Sequence, residues 1–185
     1  MNELGKQIRR KSGKEDTASL LIMDSQSAKS AEGGEQRGFD AGKKVNGRKR
    51  TLIVDHQGWI WLAHVTAANK QEVHVGKEAL TRLLDSPTLT TRLKKILADG
   101  GYRGELVDWV MQHFQVPLEI VLKVDNQKGF QVLPKRWVVE RTNAWISRQR
   151  RLARDYERLT RTSEAFIHIA MLGIGLRRIK ASEGF

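Results

Sequence analysis

The chain of 185 residues has the length of one domain with an additional arm, and its five tryptophans and 39% hydrophobic content predict a globular fold. It contains no cysteine, which excludes disulfides, thiolate zinc sites and cysteine nucleophiles and is typical of a reducing cytoplasm. No apolar run approaches the roughly 18 residues of a membrane span, and the polar N-terminus does not resemble a signal peptide. We therefore expect a soluble, cytoplasmic protein.

The net charge of +12 is concentrated at the two ends of the chain. Residues 1–50 contain 12 basic and 7 acidic residues, residues 51–133 contain 9 of each, and residues 134–185 contain 12 and 5. Clustered positive charge is typical of polyanion binding, because each neutralised phosphate releases condensed counterions. A solvated surface that keeps the protein soluble would have the same composition, so charge alone leaves both interpretations open.

The first half of the chain predicts three strands in succession, each a short apolar run bounded by polar or turn residues. The first is residues 19–25, which Asp24 closes, and the other two share residues 51–67 with a turn at Asp55 between them. The Gly- and Lys-rich stretch of residues 31–50 predicts a loop or a loose hairpin.

The second half alternates helices and strands. In chain order the predicted elements are a helix at 75–86, a strand that ends at Asp99, a helix at 104–114, a strand at 117–124, and helices at 136–159 and 163–179. Successive strands followed by strands that helices separate favour an α/β fold. We expect a mixed five-stranded sheet, with three antiparallel strands and then parallel ones, covered by helices.

Three carboxylates fall at the ends of predicted elements. Asp24 follows the first strand, Asp99 follows the fourth, and Glu140 lies in the first turns of the long helix. Carboxylate oxygens suit Mg²⁺, and two such ions roughly 3.5–4 Å apart can activate a hydroxyl and stabilise the leaving oxygen at phosphorus. Spacing alone does not single out these three residues, because the chain has 21 acidic residues.

On the predicted long helix, Arg136, Glu140, Ser147 and Arg151 share one stripe at about 100° per residue. A carboxylate between two guanidinium groups suits a metal ion and a phosphodiester together. An ordinary surface Arg–Glu pair one turn apart has the same pattern and contributes only about 0.2–0.5 kcal/mol. The stripe therefore leaves both interpretations open.

Several blocks of the sequence, in order from about residue 19 to residue 179, resemble the catalytic half of bacterial insertion-sequence transposases with a DDE triad. They are "DSQSAKS" with "RGFDAGKKVNGRKR", then "VDHQG", "LADGGYRGELVDWV", "LEIV", "GFQVLPKRWVVERTNAWISRQRRLARDYERL" and "TSEAFIHIAM". The resemblance implies a ribonuclease-H-like fold and cutting and joining of DNA with divalent metal ions.

The resemblance also implies which residues carry this chemistry. It places the catalytic and metal-binding residues on Asp24, Asp99 and Glu140, with two Mg²⁺ or Mn²⁺ ions among them. One ion would activate water for strand nicking at the element end, and the freed 3′-hydroxyl would later attack target DNA. The basic residue that precedes the glutamate by four in the family is Arg136, whereas the family's later lysine is replaced by Ser147.

Basic residues in the first loop and on the long helix are the expected contacts to DNA phosphates. They are Lys43, Lys44, Arg48, Lys49 and Arg50, together with Arg136, Arg141, Arg148, Arg150 and Arg151. Taken singly, each is also explained as a solvated surface charge. The implied partner is double-stranded DNA, at element ends and target, held by a homodimer in a nucleoid-associated synaptic complex.

The family ordinarily has a helical DNA-recognition region ahead of the catalytic domain, whereas about 23 residues precede Asp24 here. We expect residues 1–18 to form a basic N-terminal arm, a candidate remnant of that region, and residues 19–185 to form the catalytic domain. An upstream-frame product is a second candidate source of DNA recognition. A catalytically silent DNA-binding remnant is the alternative function, and the three carboxylates disfavour a third, a basic scaffold for RNA or acidic proteins.

Overall fold

The computed structural model describes residues 2–86, 91–122 and 137–181. The predicted loop at residues 125–135 and the predicted phosphate contact Arg136 lie outside the described residues. The fold below is built from the described ranges.

A single mixed sheet forms the centre of the molecule. Its strands are β1 Leu20–Lys29, β2 Gly38–Asp40, β3 Val45–Asp55, β4 Ile60–Ala67, β5 Lys95–Ala98 and β6 Leu118–Ile120. Strand β3 pairs antiparallel with β1, β2 and β4, whereas β1 with β5 and β5 with β6 are parallel pairs. The predicted mixed sheet is confirmed, and the short β2 is a sixth strand because the 31–50 stretch folds back as a hairpin onto β3.

Helices cover both faces of this sheet. They are α1 Asn2–Lys11, α2 Glu72–Leu84, α3 Glu105–Phe114, α4 Trp137–Ser147 and α5 Thr160–Ala181. Side chains alternate between faces along a strand, so Ile22 packs with α1, α4 and α5, whereas Leu21 and Met23 pack with α2 and α3. Each face thus has its own hydrophobic core.

Strand β1 is longer than predicted. Its antiparallel pairing with β3 runs from Leu21 opposite Asp55 to Lys29 opposite Gly47. The prediction that Asp24 ends the strand is wrong, because the ladder continues for five residues beyond it. The prediction that Asp99 directly follows its strand is confirmed, since β5 ends at Ala98.

The helix that carries Glu140 is shorter than predicted. Helix α4 ends at Ser147, whereas the sequence pattern predicts a helix through residue 159. Arg151 therefore does not share a helical stripe with Glu140, and that part of the sequence interpretation is wrong.

The reason is a long-range pairing that competes with helix formation. The Asp155 N–H donates to the Lys29 carbonyl at 2.8 Å, and the Ala31 N–H donates to the Asp155 carbonyl at 2.7 Å. The Asp155 side chain is buried and accepts hydrogen bonds from Arg48 and Ser163. Tertiary contacts of this kind override helix propensity, so the chain after Ser147 joins the end of β1 instead.

The N-terminal segment packs against the sheet as α1. Ile8 is buried in the core beside Trp59, and Arg9 forms a buried ion pair with Asp55 at 2.7 Å. The predicted turn role of Asp55 is confirmed, because its other carboxylate oxygen accepts the N–H groups of Gln57 and Trp59 at 2.9 and 3.0 Å. The division into an arm of residues 1–18 and a catalytic domain stays a prediction. Among the described residues, no helix has the length and apolar character needed to cross a bilayer.

Candidate active site

Two of the three predicted carboxylates lie on or directly after neighbouring strands, Asp24 within β1 and Asp99 after β5. The parallel ladder of β1 and β5 pairs Ile22 with Leu97, and two residues further along each chain lie Asp24 and Asp99. Residues two apart on a strand point to the same face, and Ile22 and Leu97 both belong to the core beneath α4 and α5. Asp24 therefore faces α4, whereas Asp99 lies just beyond the end of β5, where its Oδ1 accepts the Gly101 N–H.

Helix α4 lies along β1 and brings the third carboxylate to the same region. Asn143 Nδ2 donates to Asp24 Oδ2 at 3.1 Å, and one turn later Gln26 Nε2 donates to Ser147 Oγ at 3.2 Å. Glu140 lies one helical turn before Asn143, on the exposed part of α4. The triad residues thus come from β1, the end of β5 and the first turn of α4.

The three carboxylates do not yet surround a common point. Within residues 2–86, 91–122 and 137–181, no group of three His, Asp or Glu side chains is placed to hold a metal ion. The surrounding donor set does suit a hard cation, because the Oδ1 atom of Asn143 is buried beside Asp24 and has no hydrogen-bond partner. Carboxylate and amide oxygens are the ligands that Mg²⁺ prefers.

The turn after β5 is shaped by a fourth carboxylate that the sequence analysis did not identify. Asp99 Oδ1 accepts the Gly101 N–H at 2.9 Å, which closes a short 3₁₀ turn. A Cβ atom on Gly101 would fall on the Glu72 carboxylate and lie 3.1 Å from Asp99 Oδ1. The carboxylates of Glu72 and Asp99 therefore border the same small space beside Gly101, and a larger residue there would displace the Glu72 side chain.

Glu72, in the first turn of α2, connects the aspartates to the basic hairpin. Its Oε1 accepts a hydrogen bond from Ser25 Oγ at 2.9 Å, and Ser25 directly follows Asp24. Lys43 Nζ and Lys49 Nζ each lie 3.8 Å from the same oxygen. Lys43 Nζ also donates to the Ser25 carbonyl at 3.2 Å. The acidic edge and the basic hairpin are thus one connected network.

Tyr102 lies at the buried side of the candidate site. Its side chain is fully buried, and burial raises the pKa of its hydroxyl, with the negative charge of Asp24 acting in the same direction. The phenol therefore stays neutral at physiological pH, and it supplies a rigid wall below the aspartates rather than a further charge.

Three of the predicted phosphate contacts are buried in the fold. Arg48 is 0% exposed and donates to Asp155 and to three backbone carbonyls. Lys49 donates to the Lys70 carbonyl at 2.7 Å. Arg50 donates to the Leu152 carbonyl at 2.6 Å. Burial lowers the pKa of Arg50, which Asp155 partly offsets. These side chains hold the fold together, so we correct their predicted role as surface contacts to DNA.

Five of the six remaining described candidates lie at the surface. The exposed ones are Lys43, Lys44, Arg148, Arg150 and Arg151. Arg141 is half-buried between two indole rings, 4.5 Å from the ring centre of Trp137 and 4.6 Å from that of Trp145, and it donates to the Gln57 carbonyl at 3.0 Å. Burial lowers the pKa of Arg141.

A comparison with known proteins identifies the class. The family model described as "Transposase DDE domain" matches residues 15–172, which is most of the chain. The chain therefore belongs to the transposase DDE domain family. Together with this membership, the order and directions of the strands confirm the expected ribonuclease-H-like fold.

Solved structures with a similar chain path include integrase and transposase proteins. The catalytic core domain of BIV integrase matches with 12% identity and a TM-score of 0.46, covering 84% of this chain and 82% of that one. The Mos1 transposase in a paired-end complex with the left transposon end matches with 10% identity and a TM-score of 0.36, covering 98% and 61%. The piggyBac transposase in a synaptic complex with hairpin DNA matches with 16% identity and a TM-score of 0.36, covering 60% and 24%. No curated protein sequence matches the chain.

Proposed function

We propose that this protein cuts and joins DNA during transposition, using Asp24, Asp99 and Glu140 with two Mg²⁺ or Mn²⁺ ions. The observation that supports this proposal most strongly is that Asp24 and Asp99 each follow by two residues the paired Ile22 and Leu97 of β1 and β5. Asn143, on the helix that carries Glu140, donates to Asp24. Membership of the transposase DDE domain family makes DNA the substrate to test first.

The three carboxylates would hold the metal ions, which when bound polarise a hydroxyl and stabilise the leaving oxygen at phosphorus. The chain's own contribution is orientation. Asn143 fixes the rotamer of Asp24 through its amide, and the Gly101 N–H fixes that of Asp99. Glu140 lies at the surface, where we expect it to close onto the aspartates as metal and DNA bind.

The exposed basic residues of the hairpin and of the segment after α4 are the proposed phosphate contacts. They are Lys43, Lys44, Arg148, Arg150 and Arg151, all of which are exposed. A homodimer on paired element ends, with help from an upstream-frame product in DNA recognition, belongs to the same proposal.

The test is metal-dependent nicking of plasmid DNA that carries the element ends, with Glu140→Gln as the variant. We expect a loss of about a thousandfold, since a metal ligand contributes several kcal/mol to the transition state. The matched control is Glu105→Gln, which changes another exposed glutamate on α3 and leaves nicking intact. Nicking that survives either chelation or Glu140→Gln contradicts the proposal.

One observation favours the alternative of a catalytically silent DNA-binding remnant. The three carboxylates are not gathered into a metal-binding group in the described conformation. DNA binding that weakens steeply with salt, without nicking at any Mg²⁺ or Mn²⁺ concentration, would support this second function. A Mg²⁺-induced rise in melting temperature that is lost in Asp24→Asn and Asp99→Asn separates the two, because only the enzyme requires metal at this edge.

A further inference from the structure

A cavity of about 700 Å³ lies beside the acidic edge, between the β2–β3 hairpin and the connection from β4 to α2. Its wall includes Gly101, two residues beyond Asp99, and Glu72, which is hydrogen-bonded to the residue after Asp24. The volume lies within the range of about 300–1,000 Å³ that is typical of small-ligand sites. The cavity thus opens next to the proposed catalytic residues without being formed by them.

The charge around this cavity favours an anion. Lys43, Lys49 and Lys70 line it, against two carboxylates, Asp40 and Glu72. Lys43 and Lys70 are partly exposed, with 44% and 36% of their side chains accessible. Lys70 Nζ is paired with Glu78 at 3.1 Å and Lys43 Nζ lies 3.8 Å from Glu72, so a phosphate would compete with these carboxylates for the two ammonium groups. Phosphate groups of nucleic acids are bound by lysines arranged in this way.

The cavity also has an aromatic wall. Phe39, the central residue of β2, lines it and is 56% exposed, which is unusual for a phenylalanine on a strand. The neighbouring Gly38 lies against the Asn69 side chain, which a Cβ atom on residue 38 would meet. The amide groups of Asn69 and Gln71 line the same cavity. Ammonium groups, an open aromatic face and amides together are the set that recognises a nucleotide.

We propose that this cavity binds one unpaired nucleotide, with its base against Phe39 and its phosphate at Lys43 and Lys70. A free mononucleotide and an unpaired nucleotide within a DNA strand present the same chemistry. The placement beside Asp99 favours the strand, and for that choice the inference rests on the proposed function. The role of Glu72 is then to hold Lys43 and Lys49 at the boundary between the cavity and the aspartates.

The test measures binding in the presence of a chelator, so that it does not depend on cleavage. A single-stranded DNA hexamer with one 2-aminopurine is titrated with the protein, and fluorescence quenching reports stacking of that base. Phe39→Ala is expected to weaken binding about tenfold and to remove the quenching, while Phe39→Trp retains both. Lys43→Ala combined with Lys70→Ala weakens binding but preserves the quenching at saturation. The controls are Tyr156→Ala and Lys94→Ala, which remove an exposed aromatic and an exposed lysine outside the cavity.

Competition with deoxyadenosine monophosphate separates the two sources of the ligand. Displacement of the hexamer by the mononucleotide shows that a free nucleotide suffices. Binding of the hexamer alone shows that the strand is needed. Both outcomes support the proposal that the cavity binds a nucleotide. Equal effects of Phe39→Ala and Tyr156→Ala, or no quenching in the wild type, overturn the inference. Quenching that depends on Phe39, without metal-dependent nicking, would contradict only the proposed function. Metal-dependent nicking without such quenching would contradict only the proposal that the cavity binds a nucleotide. Circular dichroism of each variant verifies that it is folded.

Discussion

Strand β1 takes part in two clusters of charged residues that are completed in opposite ways. Near the C-terminal end of β1, Arg48 of β3 lies opposite Ala28. It donates to Asp155 at 3.0 Å and to the carbonyls of Glu35, Glu157 and Arg158 at 2.7–3.0 Å. Asp155 in turn accepts from the Glu157 N–H at 3.1 Å and from the Ser163 hydroxyl. Both charges are fully buried, and the chain itself supplies opposite charge and hydrogen bonds for each.

In the middle of β1 the arrangement is different. Asp24 accepts a hydrogen bond from the neutral amide of Asn143, and Asp99 accepts one from a backbone N–H. Asp24 lies in β1, Asp99 directly follows the neighbouring β5, and Glu72 borders the same turn. The lysines Lys43 and Lys49 lie 3.8 Å from Glu72. The buried Arg48 cluster stabilises the fold, whereas in the proposed function the carboxylates of this second cluster bind metal ions.

Asp155→Ala should give the largest effect on stability. Removing one partner leaves Arg48 buried without its counter-charge, which typically costs about 3–5 kcal/mol in the free energy of unfolding. Urea unfolding measures this loss. The matched control is Asp16→Ala, whose ion pair with Arg10 is exposed and for which little change is expected. Similar losses in the two variants would contradict the stabilising role of the buried Arg48–Asp155 pair.

Asn143→Ala tests the other side of the comparison. Loss of the amide that orients Asp24 should lower metal affinity and nicking by about ten- to a hundredfold, as is usual for groups that position a metal ligand. Stability should change little, since the cluster is not what holds the fold. Ser147→Ala is the control, because Ser147 makes the equivalent helix-to-strand contact to Gln26 one turn away. If Ser147→Ala reduces Mg²⁺ affinity as much, Asn143 has no specific positioning role.

Gly101→Ala should disturb the carboxylate cluster through sterics alone. The added methyl falls on the end of the flexible Glu72 side chain, so we expect a loss of only about 1 kcal/mol in the free energy of unfolding. Combining it with Glu72→Ala should restore most of the loss, a coupling that a double-mutant cycle measures. Gly42→Ala is the control, since its nearest neighbour would be 3.5 Å away. A loss in Gly101→Ala that Glu72→Ala does not reduce would contradict the shared space.

The parts of the site predicted from sequence are those that local patterns encode. Asp99 follows an apolar run directly, and Glu140 opens an amphipathic helix, so both positions were accessible to periodicity and to the family resemblance. The C-terminal end of β1 could not be predicted in this way, because the strand continues past Asp24 only through its pairing with β3. Long-range pairing leaves no local signature in the strand that it extends.

The roles of Arg48 and Glu72 were inaccessible for the same reason. Arg48 looked like a surface cation, yet it is satisfied by carbonyls more than 100 residues away in sequence. Glu72 looked like an ordinary residue before a predicted helix, and only the fold brings it to Gly101. The one available signal for Asn143 was its spacing of one turn from Glu140.

A third charged cluster, beside β4, is intermediate between the buried Arg48 cluster and the cluster around Asp24. Burial alone would raise the pKa of Glu164, but hydrogen bonds from His64, from Arg82 and from the Val65 N–H outweigh it and lower the pKa to about 2. The folded carboxyl therefore binds its proton less tightly than the unfolded one, whose pKa is about 4.3. The resulting stability is fully present above about pH 4.3 and is lost as the pH falls through about 2.

Glu164→Gln should therefore lower the free energy of unfolding by about 1–2 kcal/mol at neutral pH. This range is reduced for solvent screening of the ion pair with the half-exposed Arg82. The difference from wild type should shrink between about pH 4.3 and pH 2, because protonation then removes the same charge from the wild type. Chemical unfolding across this range measures it, with Glu105→Gln as the exposed control whose difference stays near zero. If the difference between Glu164→Gln and wild type is independent of pH, shape rather than charge stabilises this cluster. The cluster would then differ from the Arg48 network, in which the charge itself is stabilising.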